Sequence, residues 1–285
     1  MADTNLIKKE DLIKAREVDF VGTFGANTKT LLKVLGVTRT IAKQAGTLLR
    51  AYTATGVLLD GVVAEGETIP LSKYEVEEVT IGEIVLHKYR KATSAEAIIS
   101  AGYDKAVDAT TDRMLKDVQG AVRADLFNFL ATGTGVAQGK NFQGVLANAW
   151  GQLQTKFEDD DVQAVYFVNP LDVADYLATA NITTQTAFGM TYVEDFLGLG
   201  TVVMSARVPK GKVYATAKDN IVCYYIPVNG GDLAGAFAFT ADETGLIGIH
   251  EEADYTNMTA SDTVVNGMVL FAERLDGVIV GTINA

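Results

Sequence analysis

The sequence predicts an α+β fold: a long helix and a strand ribbon in the first half, then alternating helices and strands. Three observations carry this. Apolar residues recur every three or four positions across 104–131, the mark of a long amphipathic helix. Strand-like runs at 48–53 and 74–89 flank a polar stretch with turn chemistry. Beyond residue 141 short helical and strand patterns alternate, as in a compact α/β unit.

Taken in order, residues 1–19 predict a short polar helix, with Leu6, Ile7, Leu12, Ile13 and Val18 interrupting a charged face, and a mobile arm. From 20 to 47, Gly22, Gly25, Gly36 and Gly46 mix with threonines, and no long regular element is expected. Val76, Val79 and Ile81 alternate with glutamates, so 74–81 reads as a strand with one wet face. The stretch 60–72 is the tip of a long two-stranded excursion, and such a ribbon is marginal alone in water. It needs support from outside its own domain. Thr93-Ser94-Ala95-Glu96 matches a capping box and opens a short helix that Gly102 ends. The helix over 104–131 carries Val107, Thr111, Leu115, Val118, Val122, Leu126 and Phe129 on one face and is roughly 40 Å long. Gly133-Thr134-Gly135 closes it. Next come a helix near 142–157, a strand 164–168, a helix from Asn169-Pro170 to Ala180, and strands at 201–205, 212–215 and 221–226. Strands at 245–250, 266–273 and 277–283 are expected to return to the first sheet.

Of 285 residues, 48% are hydrophobic, 21% charged and only 4 are proline, so most of the chain has enough apolar surface to fold. No uninterrupted apolar run reaches 18 residues and the first thirty residues are highly charged, which predicts a cytoplasmic protein without a membrane span. The single cysteine, Cys223, excludes an intrachain disulfide and sits in an apolar run, as a buried strand residue would. The net charge of −12 is uneven: residues 1–50 carry about +4 and the rest about −16. That balance does not suit a nucleic-acid-binding enzyme, whose affinity comes from neutralising phosphates.

Chemistry-bearing patterns are sparse. His87 and His250 lie apart from Cys223 and from any serine motif, which leaves no catalytic triad. The run from Gly133 to Lys140 has the wrong glycine spacing for a phosphate loop, follows a helix, and lacks a Ser or Thr after the lysine. Acids at 158–161 and at Glu251, Glu252 and Asp254 lack the alternating spacing of a calcium loop. No catalytic, cofactor-binding or metal-binding residue is predicted, and the chain is not expected to be an enzyme.

The order of elements, together with the acidic hairpin segment Ala64-Glu65-Gly66-Glu67-Thr68-Ile69-Pro70-Leu71-Ser72-Lys73-Tyr74, resembles the major capsid proteins of tailed bacteriophages, the Hong Kong 97 fold family, and those of phages of low-GC Gram-positive bacteria in particular. The resemblance implies an N-arm (1–45) and a peripheral P-domain (46–140 and 245–285) with an E-loop at about 56–78 and a spine helix at about 104–131. A central α/β A-domain (141–244) completes it. It implies a structural subunit that self-assembles as hexamers and pentamers into an icosahedral shell enclosing double-stranded DNA, found in the virion and assembled in the host cytoplasm. Implied partners are further copies, a separate scaffolding protein, portal and decoration proteins, and packaged DNA by proximity; no cofactor and no membrane are implied. An acidic body suits a wall that faces DNA without adhering to it.

Inter-subunit contact is expected between the basic arm, at Lys8, Lys9 and Lys14, and the acidic ribbon, at Glu65, Glu67, Lys73, Glu75 and Glu77, since residues 60–78 carry about −5. The namesake's covalent crosslink joins an E-loop lysine to an asparagine of a neighbour; Lys73 and Asn257 or Asn266 could stand there, but no motif assigns the roles and none is expected. Two other classes remain open. An encapsulin shares the fold and would be told apart by an N-terminal helix that docks a cargo peptide; a cytoplasmic α/β enzyme would stay a monomer or dimer.

Overall fold

The computed structural model describes residues 9–37, 39–157, 162–178, 184–187 and 189–284. The first described element is a 27-residue helix, α1 (Lys9–Leu35). This overturns the expectation of a short arm helix followed by a glycine-broken segment. Phe20, Val21, Phe24, Thr28, Leu31 and Leu35 recur at helical spacing and are buried, so one stripe of α1 belongs to the core. An interior glycine costs a helix about 1 kcal/mol relative to alanine, and burial of that stripe outweighs Gly22 and Gly25. Gly25 has a packing reason: a Cβ there would stand 2.5 Å from Asp242 Oδ2. At Gly36, φ 66°, the helix stops. The Gly36 N–H donates to the Lys33 carbonyl and the Val37 N–H to that of Leu32, the paired bonds of a Schellman end.

Then follow β1 (Thr40–Ala42), β2 (Leu48–Val57), β3 (Lys73–Glu83), β4 (His87–Ser94) and α2 (Ala95–Ala101). The cap of α2 is Ser94, whose Oγ accepts the Ala97 N–H, while Thr93, predicted to open the capping box, lies in β4. Gly102 ends α2 with φ 83°. A five-residue π turn (Asp104–Asp108) leads into α3 (Ala109–Leu130), with Thr111, Leu115, Val118, Val122 and Leu126 buried. The remainder comprises β5 (Gly135–Gly139), α4 (Phe142–Lys156), β6 (Ala164–Val168), α5 (Pro170–Leu177), β7 (Gln185–Ala187), β8 (Met190–Val193), β9 (Gly200–Met204) and β10 (Lys212–Ala217). After these come β11 (Ile221–Tyr225), α6 (Gly231–Ala236), β12 (Thr240–Ala241), β13 (Ile247–Asp254), β14 (Thr259–Asn266), β15 (Val269–Ala272) and β16 (Val278–Ile283).

A seven-stranded sheet in the order β5-β16-β10-β6-β9-β8-β7 is the largest layer. Its strand β6 is buried throughout: Val165 and Phe167 join the core that includes α1 and α3, and Ala164, Tyr166 and Val168 join the core under α4. Alternation by two along one strand thus serves two cores. A four-stranded antiparallel sheet, β12-β13-β14-β4, joins the chain's end to its beginning, and a small sheet, β1-β11-β15, does the same. The final strands were expected to return together to the first sheet. β14 pairs there with β4 and β13 with β14, but β15 pairs with β11, and β16 pairs with β10 and runs parallel to β5. The extended, apolar character of β13, β15 and β16 was readable locally, whereas β14 was not foreseen, and the partners of all four were set by distant packing.

Buried charge fixes the spine helix on this frame. Asp262 on β14, 1% exposed, accepts from Lys91 Nζ and from Thr111 Oγ1, each at 2.7 Å. Lys91 Nζ also reaches the Val107 carbonyl and Thr110 Oγ1. A buried carboxylate without such partners would be costly.

Candidate assembly interfaces

The ribbon β2–β3 forms a sheet of its own. Its base is tied to the body: Leu49 and Ile84 are buried, and the Tyr52 N–H donates to the Glu273 carbonyl. Beyond that the strands run out to a tip over 58–72, where the Glu67 N–H closes a turn on the Ala64 carbonyl and Gly66 takes φ 88°, a value only glycine adopts freely. Opposed pairs are Tyr52 with Glu78 and Gly56 with Tyr74, so Tyr52, Tyr74, Val76 and Glu78 share one face. Lys73, Glu75 and Glu77 occupy the other. Tyr74 lies against the bare backbone of Gly56.

This ribbon exposes apolar surface that the sequence reading missed. Val57, Leu58, Val62, Ile69, Leu71, Tyr74 and Val76 are all largely solvent-accessible, Val62 at 89% and Leu71 at 93%. A concentration of exposed aliphatic side chains on a projecting element is characteristic of an interaction surface. The signal was in the sequence: Val57, Leu58, Leu59, Val62 and Val63 are apolar residues with no core periodicity, inside what reads as turn chemistry. Such residues have no core of their own to enter.

The charged residues expected at subunit contacts are placed as follows. Lys8 lies outside the described residues, and Lys9 and Lys14 lie on α1. Glu65 and Glu67 are exposed at the ribbon tip without an ion pair among the described residues, and Glu67 Oε2 accepts the Ala64 N–H. Lys73 pairs with Glu75 on its own strand, and Arg50 pairs with Glu78 across the ribbon. Arg16 is already committed: it pairs with Glu251 and with Asp108 and donates to the Tyr103 hydroxyl at 2.7 Å. Its neighbour Glu17, buried, accepts the Glu251 N–H and the Thr240 hydroxyl. These bonds clasp α1 to β12 and β13.

The other chemical candidates fall apart in space. His87 stands 4.0 Å from Asp125, and Cys223 is fully buried, its thiol pushed up to about 12 by desolvation. Glu251 serves Arg16. Asp254 is held below the usual carboxylate range by bonds from the Thr256 hydroxyl and amide. The acids at 158–161 lie outside the described residues. Among the described residues no cluster of three His, Cys, Asp or Glu could hold a metal, and no helix is long and apolar enough to cross a membrane.

No protein-family model matches the sequence, and no curated protein does. Solved structures do match over most of the chain. The capsid of cyanophage A-1(L) superposes with a TM-score of 0.55 at 12% identity, over 89% of this chain and 92% of that one. This chain has the phage-capsid fold. The virus-like particle of Pyrococcus furiosus matches over 92% of this chain and 97% of its own, with a TM-score of 0.52 at 13% identity. The encapsulin of Synechococcus elongatus matches over 88% and 87%, with a TM-score of 0.53 at 11% identity. The α+β capsid fold is therefore common to shells of more than one kind.

Proposed function

We propose that this chain is the major capsid protein of a tailed bacteriophage, a non-enzymatic subunit that assembles as hexamers and pentamers into an icosahedral shell around double-stranded DNA. The observation that carries it is the ribbon: an element with almost no core of its own, exposing Leu58, Val62, Ile69 and Leu71, on a fold that otherwise occurs in shell proteins. A subunit meant to stay alone would not expose so much apolar surface on its least supported element. In this reading the A-domain spans about 141–244 and the P-domain the flanking ranges, and assembly takes place in the host cytoplasm. Glu65, Glu67 and Glu77 face neighbouring copies, and scaffolding, portal and decoration proteins act on the shell from outside this chain.

A second reading rests on α1. An encapsulin-type compartment is the alternative marked by an N-terminal helix that docks a cargo peptide, and Lys9–Leu35 is helical and packed into the core. One experiment separates the readings. Expressed protein examined by negative-stain microscopy and sedimentation is expected to form closed particles; a monomer or dimer under all conditions would sink both. Particles purified from infected or lysogenic cells with nuclease-protected DNA support the phage capsid, whereas a protein cargo in place of DNA supports the compartment.

A further inference from the structure

Lys91 and Asp262 stand directly opposite each other on β4 and β14, and Glu251 on β13 is the next residue in the same row. Arg16 takes Glu251, which leaves Asp262 to the lysine. Lys91 Nζ lies 2.7 Å from Asp262 Oδ2, and the two side chains are 19% and 2% exposed. The same nitrogen donates to the Thr110 hydroxyl at 3.0 Å and to the Val107 carbonyl at 3.2 Å, so all three of its protons are held. Thr111 Oγ1 lies 2.7 Å from the same carboxylate oxygen. The other lysine pairs among the described residues, Lys73 with Glu75, Lys156 with Asp276 and Lys210 with Asp175, are more exposed. Lys91 and Asp262 are thus an amine and a carboxyl group pressed together out of water, with no freedom to part.

We propose that Lys91 and Asp262 condense into an isopeptide bond, a covalent staple inside one chain that joins β4 to β14. One ammonium proton passes along the 2.7 Å hydrogen bond to Asp262 Oδ2, which leaves a neutral amine beside a neutral acid. The nitrogen lone pair then attacks Asp262 Cγ. As the tetrahedral centre collapses, the bond from Cγ to Oδ2 breaks, and Oδ2 departs as water with its own proton and one from the nitrogen. Thr111 Oγ1 donates to that departing oxygen. In sum, one ammonium and one carboxylate become a secondary amide and water, with no oxidant and no co-reactant. Two effects drive the step. Strand pairing holds the reacting groups in contact, which replaces a bimolecular encounter. Burying two charges is costly even when they are paired, and the amide carries none. The product stays satisfied: its one N–H keeps Thr110 or Val107 as acceptor, and Thr111 keeps the Val107 carbonyl at 2.9 Å. The bond lies within a subunit, so it differs from a crosslink between neighbours, and it fastens the sheet that joins the chain's end to its beginning.

The test weighs the full chain. Intact-mass spectrometry of the purified protein, denatured after folding, should find it lighter than its sequence by one water molecule. Protease digestion should release a branched peptide that joins the segment around Lys91 to the segment around Asp262. Lys91→Arg keeps the positive charge but offers no nucleophilic amine, because a guanidinium stays protonated. That variant should show the full sequence mass and two linear peptides. If it does not fold, the branched peptide of the parent decides by itself. A parent at full mass, both as free subunit and after assembly or prolonged incubation, overturns the inference. So does a water loss that persists in Lys91→Arg or maps to another residue, since a cyclised aspartate would then be its source. Either result leaves the shell reading untouched, because the bond is made within one copy.

Discussion

Val118 sits on α3 at 2% exposure, on the helical stripe with Leu115, Val122 and Leu126. Truncation to alanine removes two methyl groups from a packed site, so Val118→Ala should lower unfolding free energy by about 1–3 kcal/mol in chemical denaturation. A change within error would mean that the core relaxes around this position. That stripe was legible because helical periodicity is local. The Lys91–Asp262 pair was not, because nothing near either residue announces a partner 171 positions away. Cys223 was readable as a buried strand residue, and burial has a chemical consequence: its thiol is pushed from 9.0 up to about 12. The unfolded chain releases this proton first, so it holds fewer protons between about pH 9 and 12 and stability falls as pH rises through that window. Native protein at pH 8 should therefore resist a thiol-reactive chromophore and react once denaturant is added; full reaction of the native state would contradict the burial.

At the scale of elements, α1 and the ribbon show opposite limits of the sequence. Gly22 and Gly25 argue locally against a helix, yet Phe20, Phe24, Thr28, Leu31 and Leu35 keep helical spacing through them, and the partner surface decides. That periodicity was the available signal, and glycine content outweighed it. The ribbon was legible as two strands and a turn, while the purpose of its apolar residues was not, because a surface that another molecule covers leaves no periodic mark. Removing 60–72 and closing β2 to β3 with a two-residue turn should leave a cooperatively folding, soluble subunit, since the excised residues contribute nothing to either buried cluster. Its thermal unfolding should match the parent within a few degrees and its particle formation should be lost. Disappearance of the cooperative transition would make the tip part of the folding core.

For the whole molecule, the question is which force closes the shell. Exposed ion pairs are worth about 0–1 kcal/mol each, so pairing of Lys8, Lys9 and Lys14 with the ribbon acids supplies little per contact even when a shell repeats it. Burying one aliphatic side chain supplies about 1.5–3 kcal/mol, and each copy offers Val57, Leu58, Val62, Ile69 and Leu71. The apolar contribution is larger, and charge is left to set register and partner choice. Raising salt from 0.1 to 1 M shrinks the Debye length from about 10 to about 3 Å, which screens exposed pairs and leaves apolar contacts and partly buried pairs in place. The assembly threshold, read by light scattering against concentration, should therefore move by less than about threefold over that range. Changing Lys8, Lys9 and Lys14 together to Glu should have a similarly small effect. Ile69→Asp with Leu71→Asp, by contrast, loses two apolar contacts and buries two charges, and should raise the threshold by at least about a hundredfold while the unfolding midpoint of the subunit stays unchanged. A threshold that climbs steeply with salt and with the lysine reversals, yet tolerates aspartate at 69 and 71, would transfer the driving force from the ribbon's apolar surface to the basic arm.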